Sequence, residues 1–261
     1  MKATTLWRIT GASALLSTAL LIGGLGYGVK DVLFPQESQI TQAPAAEEQP
    51  SGVLAQDRID IVAFGDSLTK GTGDQTGKGY VGGVKEKLQQ ATGKPVFVTN
   101  NMAINGYQAK QLLNDLETKK PMRDAIGQAH LVLLTIGGND LFHLGQEELA
   151  PETSRARMKE TLPTIEKIID MIAKANPNAT VMYVGLYNAF LDLDPDRQAS
   201  LVVQEWNDSV FQITNRYPNV VFVPTADLFQ MQLNKYLYTD HFHPNQAGYE
   251  RIADRIVQVL N

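Results

Sequence analysis

From residue 57 onward, short apolar runs alternate with stretches in which apolar residues recur every three or four positions. The runs lie at 59–64, 96–99, 131–136, 180–185 and 220–223, and the helical periods at 81–90, 108–116, 158–174, 201–216 and 244–260. Strand and helix in strict alternation predict a parallel sheet covered on both faces, hence a three-layer α/β domain. Pro163 predicts a kink or a helix start, and Pro244 predicts the first position of the last helix.

Ahead of residue 57 the pattern changes. Lys2 and Arg8 precede an uncharged run from Ile9 to Val29, closed by Lys30 and Asp31. That is about the ~20 residues a helix needs to cross a bilayer, and longer than the roughly 7–15 apolar residues of a signal peptide. The nearest small-residue cleavage candidate, Ala43-Pro44-Ala45, lies well past its end. Residues 1–30 therefore read as an uncleaved signal-anchor, with the basic amino end inside and the rest of the chain outside the cytoplasm. Residues 31–56, rich in Gln, Glu, Ala, Pro and Ser, cannot bury enough surface to fold. They read as a flexible stalk with a span on the order of 25 Å. Residues 57–261 are then the folded domain.

Composition narrows the partners. In 261 residues there are 28 acidic and 23 basic side chains, a net charge of −5, which argues against a nucleic-acid binder. With no Cys, disulfides, thiol catalysis and thiolate metal sites are excluded together.

The candidate chemistry sits where strands end. The first run leads into Gly65-Asp66-Ser67-Leu68, and in an open α/β sheet a Ser at a strand's carboxyl end points into a crevice. Ser67 as a nucleophile requires a base and an oxyanion hole. The run at 131–136 ends in Gly137-Gly138-Asn139-Asp140, where the Asn139 amide can donate to a developing oxyanion; by itself this motif is an ordinary turn. Gly106, in the loop after 96–99, offers a bare backbone N–H. Near the carboxyl end, Asp240-His241-Phe242-His243-Pro244 places His243 in an extended conformation before a helix, with Asp240 three residues earlier to orient it. His130 and His143 read as surface residues, and His241 is ambiguous.

Taken in order, Gly65-Asp66-Ser67-Leu68, Gly106, Gly137-Gly138-Asn139-Asp140 and Asp240-His241-Phe242-His243 resemble the four blocks of the SGNH (GDSL-type) hydrolases. The resemblance spans essentially 57–261 and implies a flavodoxin-like sheet between helices. It also implies Ser67 as nucleophile, His243 as base, Asp240 as its orienting acid, and an oxyanion hole from the Ser67 and Gly106 amides and the Asn139 side chain. Neither a metal nor an organic cofactor is called for. Anchor and domain together resemble membrane-anchored GDSL lipase/acylhydrolase proteins of Gram-positive bacteria. The expected activity is hydrolysis of carboxylic esters, on a lipid or other acyl ester. The alternative is an O-acetyl esterase acting on cell-wall carbohydrate or peptidoglycan.

Other signals fall short. The glycine-rich segment 71–79 has Thr72 and Gly79 where a phosphate loop needs Gly and Ser or Thr, so it reads as a mobile lip beside Ser67. Asp192, Asp194 and Asp196 begin like a calcium loop, but Arg197 and Val203 occupy its Gly and Glu positions, leaving a solvated acidic loop. Its neighbours Phe190, Leu191 and Leu193 are candidates for an acyl pocket. A rival from another class is a metal-dependent phosphoesterase with Asp66, Asn139, His241 and His243 as ligands.

Overall fold

The computed structural model describes residues 3–33, 52–142, 150–194 and 196–260. It divides into two units, Met1–Glu48 and Gln49–Asn261. Among its described residues the first holds one helix, α1 (Ala3–Leu33), whose stretch Gly11–Lys30 is long and apolar enough to cross a bilayer. Most of the expected stalk lies outside the described residues. Its last part, Gly52–Ala55, forms a 3-10 turn in the second unit, with Val53 buried.

The second unit is built on five parallel strands: β1 (Ile59–Gly65), β2 (Val96–Asn101), β3 (Leu131–Thr135), β4 (Thr180–Val184) and β5 (Val220–Val223). Their order is β2-β1-β3-β4-β5, the flavodoxin-like arrangement, and the expected three-layer α/β/α fold is present. Alternate side chains of one strand feed opposite cores, because strand side chains point up and down in turn. Val62, Phe64, Val132 and Leu134 pack under α4 (Ala109–Thr118), α5 (Lys120–Gln128), α7 (Pro151–Ala175) and α8 (Gln198–Thr214). Ile59, Ile61, Ala63, Leu131 and Leu133 pack under α3 (Gly79–Thr92) and α11 (Gln246–Leu260). At about 1.5–3 kcal/mol per fully buried large apolar side chain, these two layers supply the main favourable term of folding.

Short helices also follow several strands: α2 (Ser67–Lys70) after β1, α6 (Gly138–Leu141) after β3, and α9 (Ala226–Gln230) and α10 (Leu233–Tyr236) after β5. They are too brief to show a hydrophobic period, so the sequence pattern does not reveal them. The helix-start reading of Pro163 and the expectation for Pro244 need correction. Pro163 lies inside the continuous helix α7 and starts nothing, since Pro151 already occupies its first turn. Pro244 does not open α11, which begins at Gln246. Pro244 instead pairs with Leu237 in an antiparallel bridge, and the Asn245 side chain accepts from Gly248 N at 3.0 Å, as an N-cap does.

Candidate active site

β1 and β3 lie at the point where the strand order reverses, so the chain leaves them in opposite directions and a crevice opens at their carboxyl ends. Gly65 makes the first approach possible. Its φ of +133° is unsuited to a side chain, and a Cβ there would lie 1.9 Å from the Thr135 carbonyl oxygen. The next residue, Asp66, caps α2 by accepting from Leu68 N at 3.0 Å. Ser67 therefore opens the helix, and its backbone N–H has no acceptor inside it. Asp66 is buried and also accepts from Thr135 Oγ1 at 2.8 Å. Thr135 in turn contacts Thr69 Oγ1 at 2.6 Å, and Thr69 contacts the Tyr80 hydroxyl at 2.6 Å. Because the Thr135 proton goes to Asp66, the buried hydroxyls line up as donors from Tyr80 through Thr69 toward the carboxylate.

The loop after β3 is stitched to the one after β2. Gly137, at φ +110°, leaves room for Trp206, whose ring would lie 2.1 Å from a Cβ. Beyond it, Asp140 accepts from Ala109 N at the start of α4, at 3.0 and 3.2 Å to its two oxygens. Asn139 Nδ2 donates to the Tyr107 carbonyl at 3.0 Å, and Gln108 Nε2 donates back to the Asn139 carbonyl at 3.3 Å. Gly106 stands one residue before Tyr107, in an exposed turn at φ +75°.

The third component is the loop 238–243. Tyr238 N donates to the His243 carbonyl at 2.7 Å, closing the hairpin that the Leu237–Pro244 bridge begins. Asp240 Oδ1 accepts from the backbone amides of Phe242 and His243, each at 3.0 Å. Its Oδ2 lies 2.7 Å from His243 Nδ1, and His243 Nε2 lies 2.8 Å from Ser67 Oγ. An ionised carboxylate only accepts, so Nδ1 carries the proton and Nε2 is left to accept from the serine hydroxyl. Burial works to raise the Asp240 carboxyl pKa, but the bonds from the His243 side chain and the two amides outweigh it, and the group sits below the ordinary aspartate value. Asp66 goes the other way. Its burial outweighs the bonds from Thr135 and Leu68 and the nearby His243, so its pKa is raised.

Ser67, His243 and Asp240 thus stand in one hydrogen-bonded series, and Asn139 lines the same cleft as Ser67. His241, the ambiguous one, is exposed at φ +55° and takes no part in that series. His130 is half-buried, not a free surface group: its Nδ1 accepts from Asp60 N at 3.0 Å. His143 lies outside the described residues. Asp66, spent on Leu68 N and Thr135, and His243, with both nitrogens engaged, do not converge on a common point. Among the described residues no group of three or more His, Cys, Asp or Glu is disposed to hold a metal ion.

The cleft beside Ser67 is walled by Leu68, Phe142, Leu186, Tyr187, Phe190 and Phe242. Phe190 bridges Phe142 and Phe242 with ring centroids 5.4 and 5.7 Å apart. Of the three sequence candidates for this wall, Phe190 alone lines it; Leu191 packs toward the core and Leu193 is 76% exposed. Leu68 and Phe242 belong to the first and last motif blocks, though nothing in those blocks marks them as wall; Phe142, Leu186 and Tyr187 carry no motif, and the wall is gathered from segments that follow four different strands. The acidic loop also differs from expectation. Asp194 is buried and accepts from Asn188 Nδ2 and from Ser200 N in the first turn of α8, a structural use. The segment 71–79 is tied down by Asp74, which accepts from Thr76 and Gly79, and Gly73 packs against His243 and Pro244. It supports the back of the His243 loop and is absent from the cleft lining.

This arrangement can remove a proton from a serine hydroxyl and hold a negative oxygen next to an amide donor. The profile of the "GDSL-like Lipase/Acylhydrolase" family matches residues 63–251. The uncharacterized protein YpmR of Bacillus subtilis (strain 168) is 34% identical over 229 residues, 85% of this chain and 89% of its own. The spore germination lipase LipC of Bacillus licheniformis is 24% identical over 206 residues, 76% of this chain and 94% of its own. Among solved structures, the lipase Lip_vut3 from a goat rumen metagenome superposes with a TM-score of 0.68 at 22% identity, covering 77% of this chain and 96% of that one, and shares the fold.

Proposed function

This chain belongs to the GDSL-like lipase/acylhydrolase family and is a carboxylic ester hydrolase, and we propose that it works through a Ser67–His243–Asp240 triad and an acyl-enzyme. His243 Nε2 takes the Ser67 proton as Oγ attacks the ester carbonyl. The tetrahedral oxyanion is held by the Ser67 and Gly106 amides and by the Asn139 amide hydrogen not given to Tyr107. His243 then protonates the leaving alcohol, and water, deprotonated by the same imidazole, releases the acid. Asp240 holds the tautomer and stabilises the imidazolium. One relationship carries this proposal: the unbroken series from Asp240 Oδ2 through the His243 ring to Ser67 Oγ, at 2.7 and 2.8 Å.

The aromatic wall of the cleft supports an acyl chain as the group bound beside Ser67, in a lipid or comparable ester. The apolar helix supports residues 1–30 as a membrane anchor with the hydrolase domain outside the cytoplasm, the folded unit taking in Gly52–Ala55 at the end of the expected stalk.

The test is turnover of a chromogenic ester series, from acetyl to long acyl, by the full-length chain in mild detergent, beside Ser67→Ala and with a chelator. Turnover that Ser67→Ala abolishes and the chelator leaves untouched is expected. An active Ser67→Ala, or activity lost to the chelator, would sink the proposal and bring the metal-dependent rival forward. A preference confined to acetyl esters would replace the acyl-chain substrate with an O-acetylated one.

A further inference from the structure

Tyr187 belongs to two places at once. Its ring forms part of the cleft wall beside Ser67 and lies on Phe229 with 4.0 Å between centroids. Its hydroxyl donates to the carbonyl of Phe242, the residue before His243, at 2.6 Å. We infer that Tyr187 is a positioning residue: by holding the Phe242 carbonyl it sets where the His243 imidazole stands over Ser67.

Among the described residues, apart from the His243–Ser67 contact, the remaining hydrogen bonds of 238–243 run inside the hairpin. Tyr238 pairs with His243, His241 N donates to the Tyr238 carbonyl, and Asp240 takes the Phe242 and His243 amides. Such bonds orient Asp240 and His243 toward each other. They cannot place the pair relative to the end of β1, because the whole hairpin can shift without breaking them. Outside the Ser67 contact itself, the Tyr187 bond is what links the loop to the sheet by a directional interaction, with Gly73 packed on the loop as a nonpolar support.

Tyr187 is itself well anchored. It lies three residues past β4, on backbone that is pinned twice: Thr225 Oγ1 donates to the Gly185 carbonyl at 2.7 Å, and Asn207 bonds both Leu186 N and the Leu186 carbonyl, at 2.9 and 2.8 Å. Burial, with the Asp66 and Asp240 carboxylates, pushes the Tyr187 phenol well above its usual pKa, so it stays a donor wherever the enzyme works. Proton transfer between Oγ and Nε2 depends on their spacing, and a misplacement of about 1 Å costs on the order of 100-fold. The hydroxyl is thus worth more to turnover than its one bond suggests.

The inference rests on His243 being the base, and a double-mutant cycle tests the two separately. Tyr187→Phe, His243→Ala and the double variant of the full-length chain are assayed on an acetyl ester, each normalised to its folded fraction by near-ultraviolet circular dichroism. Tyr187→Phe keeps the ring on Phe229 and is expected to lower kcat about 10- to 100-fold with KM unchanged. In the His243→Ala background the same change is expected to cost nothing further, because its route to the chemistry is gone. An equal loss in both backgrounds would make Tyr187 a structural residue only, and an undiminished kcat would dismiss it altogether. Full activity in His243→Ala alone would overturn the base assignment, and the inference with it.

Discussion

The side-chain amide of Asn139 is held by the backbone carbonyl of Tyr107, 3.0 Å from Nδ2, so the loop after β3 aims its donor by gripping the loop after β2. One amide hydrogen is fixed in this bond and the other is directed; in the proposed oxyanion hole such a donor would need no reorientation when negative charge appears. Asn139→Ala is expected to lower kcat by about 10²–10³ while KM changes little. Steady-state kinetics on a short ester decide it. An unchanged kcat would remove Asn139 from the oxyanion hole.

Gly65→Ala should be among the most destabilising substitutions in the chain. Its φ of +133° and the 1.9 Å approach to the Thr135 carbonyl oxygen mean that backbone, not a flexible side chain, would have to move. A loss of at least about 3 kcal/mol is expected, read from urea unfolding. A variant within 1 kcal/mol of wild type, as an order-of-magnitude threshold, would show that β1 and β3 are free to part here.

Asp66 should impose a pH dependence on stability. Its pKa is raised in the folded protein, so between the ordinary aspartate value and the raised one the folded chain holds more protons than the unfolded chain. Stability then falls as pH rises through that window. Asp66→Asn keeps an oxygen where Leu68 N and Thr135 Oγ1 both donate, at Oδ1, while removing the charge. The fall should be absent from the variant, as measured by unfolding at a series of pH values; parallel curves would contradict the assignment. Asp240 has the opposite sign: with a lowered pKa it stabilises above the unfolded value, a contribution lost as pH falls through the folded one.

Phe190 bridges Phe142 and Phe242 in the cleft wall. Phe190→Ala should cut kcat/KM for long acyl esters by about tenfold more than for acetyl esters, since removed apolar contact matters only to a chain that reaches it. Equal losses along the series would place the acyl chain elsewhere.

The chain contains no Cys, which makes its topology measurable. Gln90→Cys, on an exposed position of α3, should react with a membrane-impermeant maleimide in intact cells if the domain lies outside the cytoplasm. Labelling only after lysis would reverse the orientation.

Local pattern was enough to reveal the sheet, five of its longer helices and the four blocks around Ser67, Gly106, Asn139 and His243. Strand and helix periods are written into neighbouring residues, and strands buried on both faces read as continuous apolar runs. The same locality explains the misjudged prolines: Pro244 has the right neighbours for a helix start, yet closing the 238–243 loop against Leu237 takes it into a bridge. Only the tertiary structure decided what those blocks meet. Ser67 and His243 are 176 positions apart, and the wall of Phe142, Leu186, Tyr187, Phe190 and Phe242 is collected from separate loops. No spacing in the chain encodes those encounters, because they follow from how the sheet order brings strand ends together. The Tyr187 hydroxyl is the clearest case: in the sequence it is a tyrosine just after an apolar run, and in the fold it holds the carbonyl beside His243.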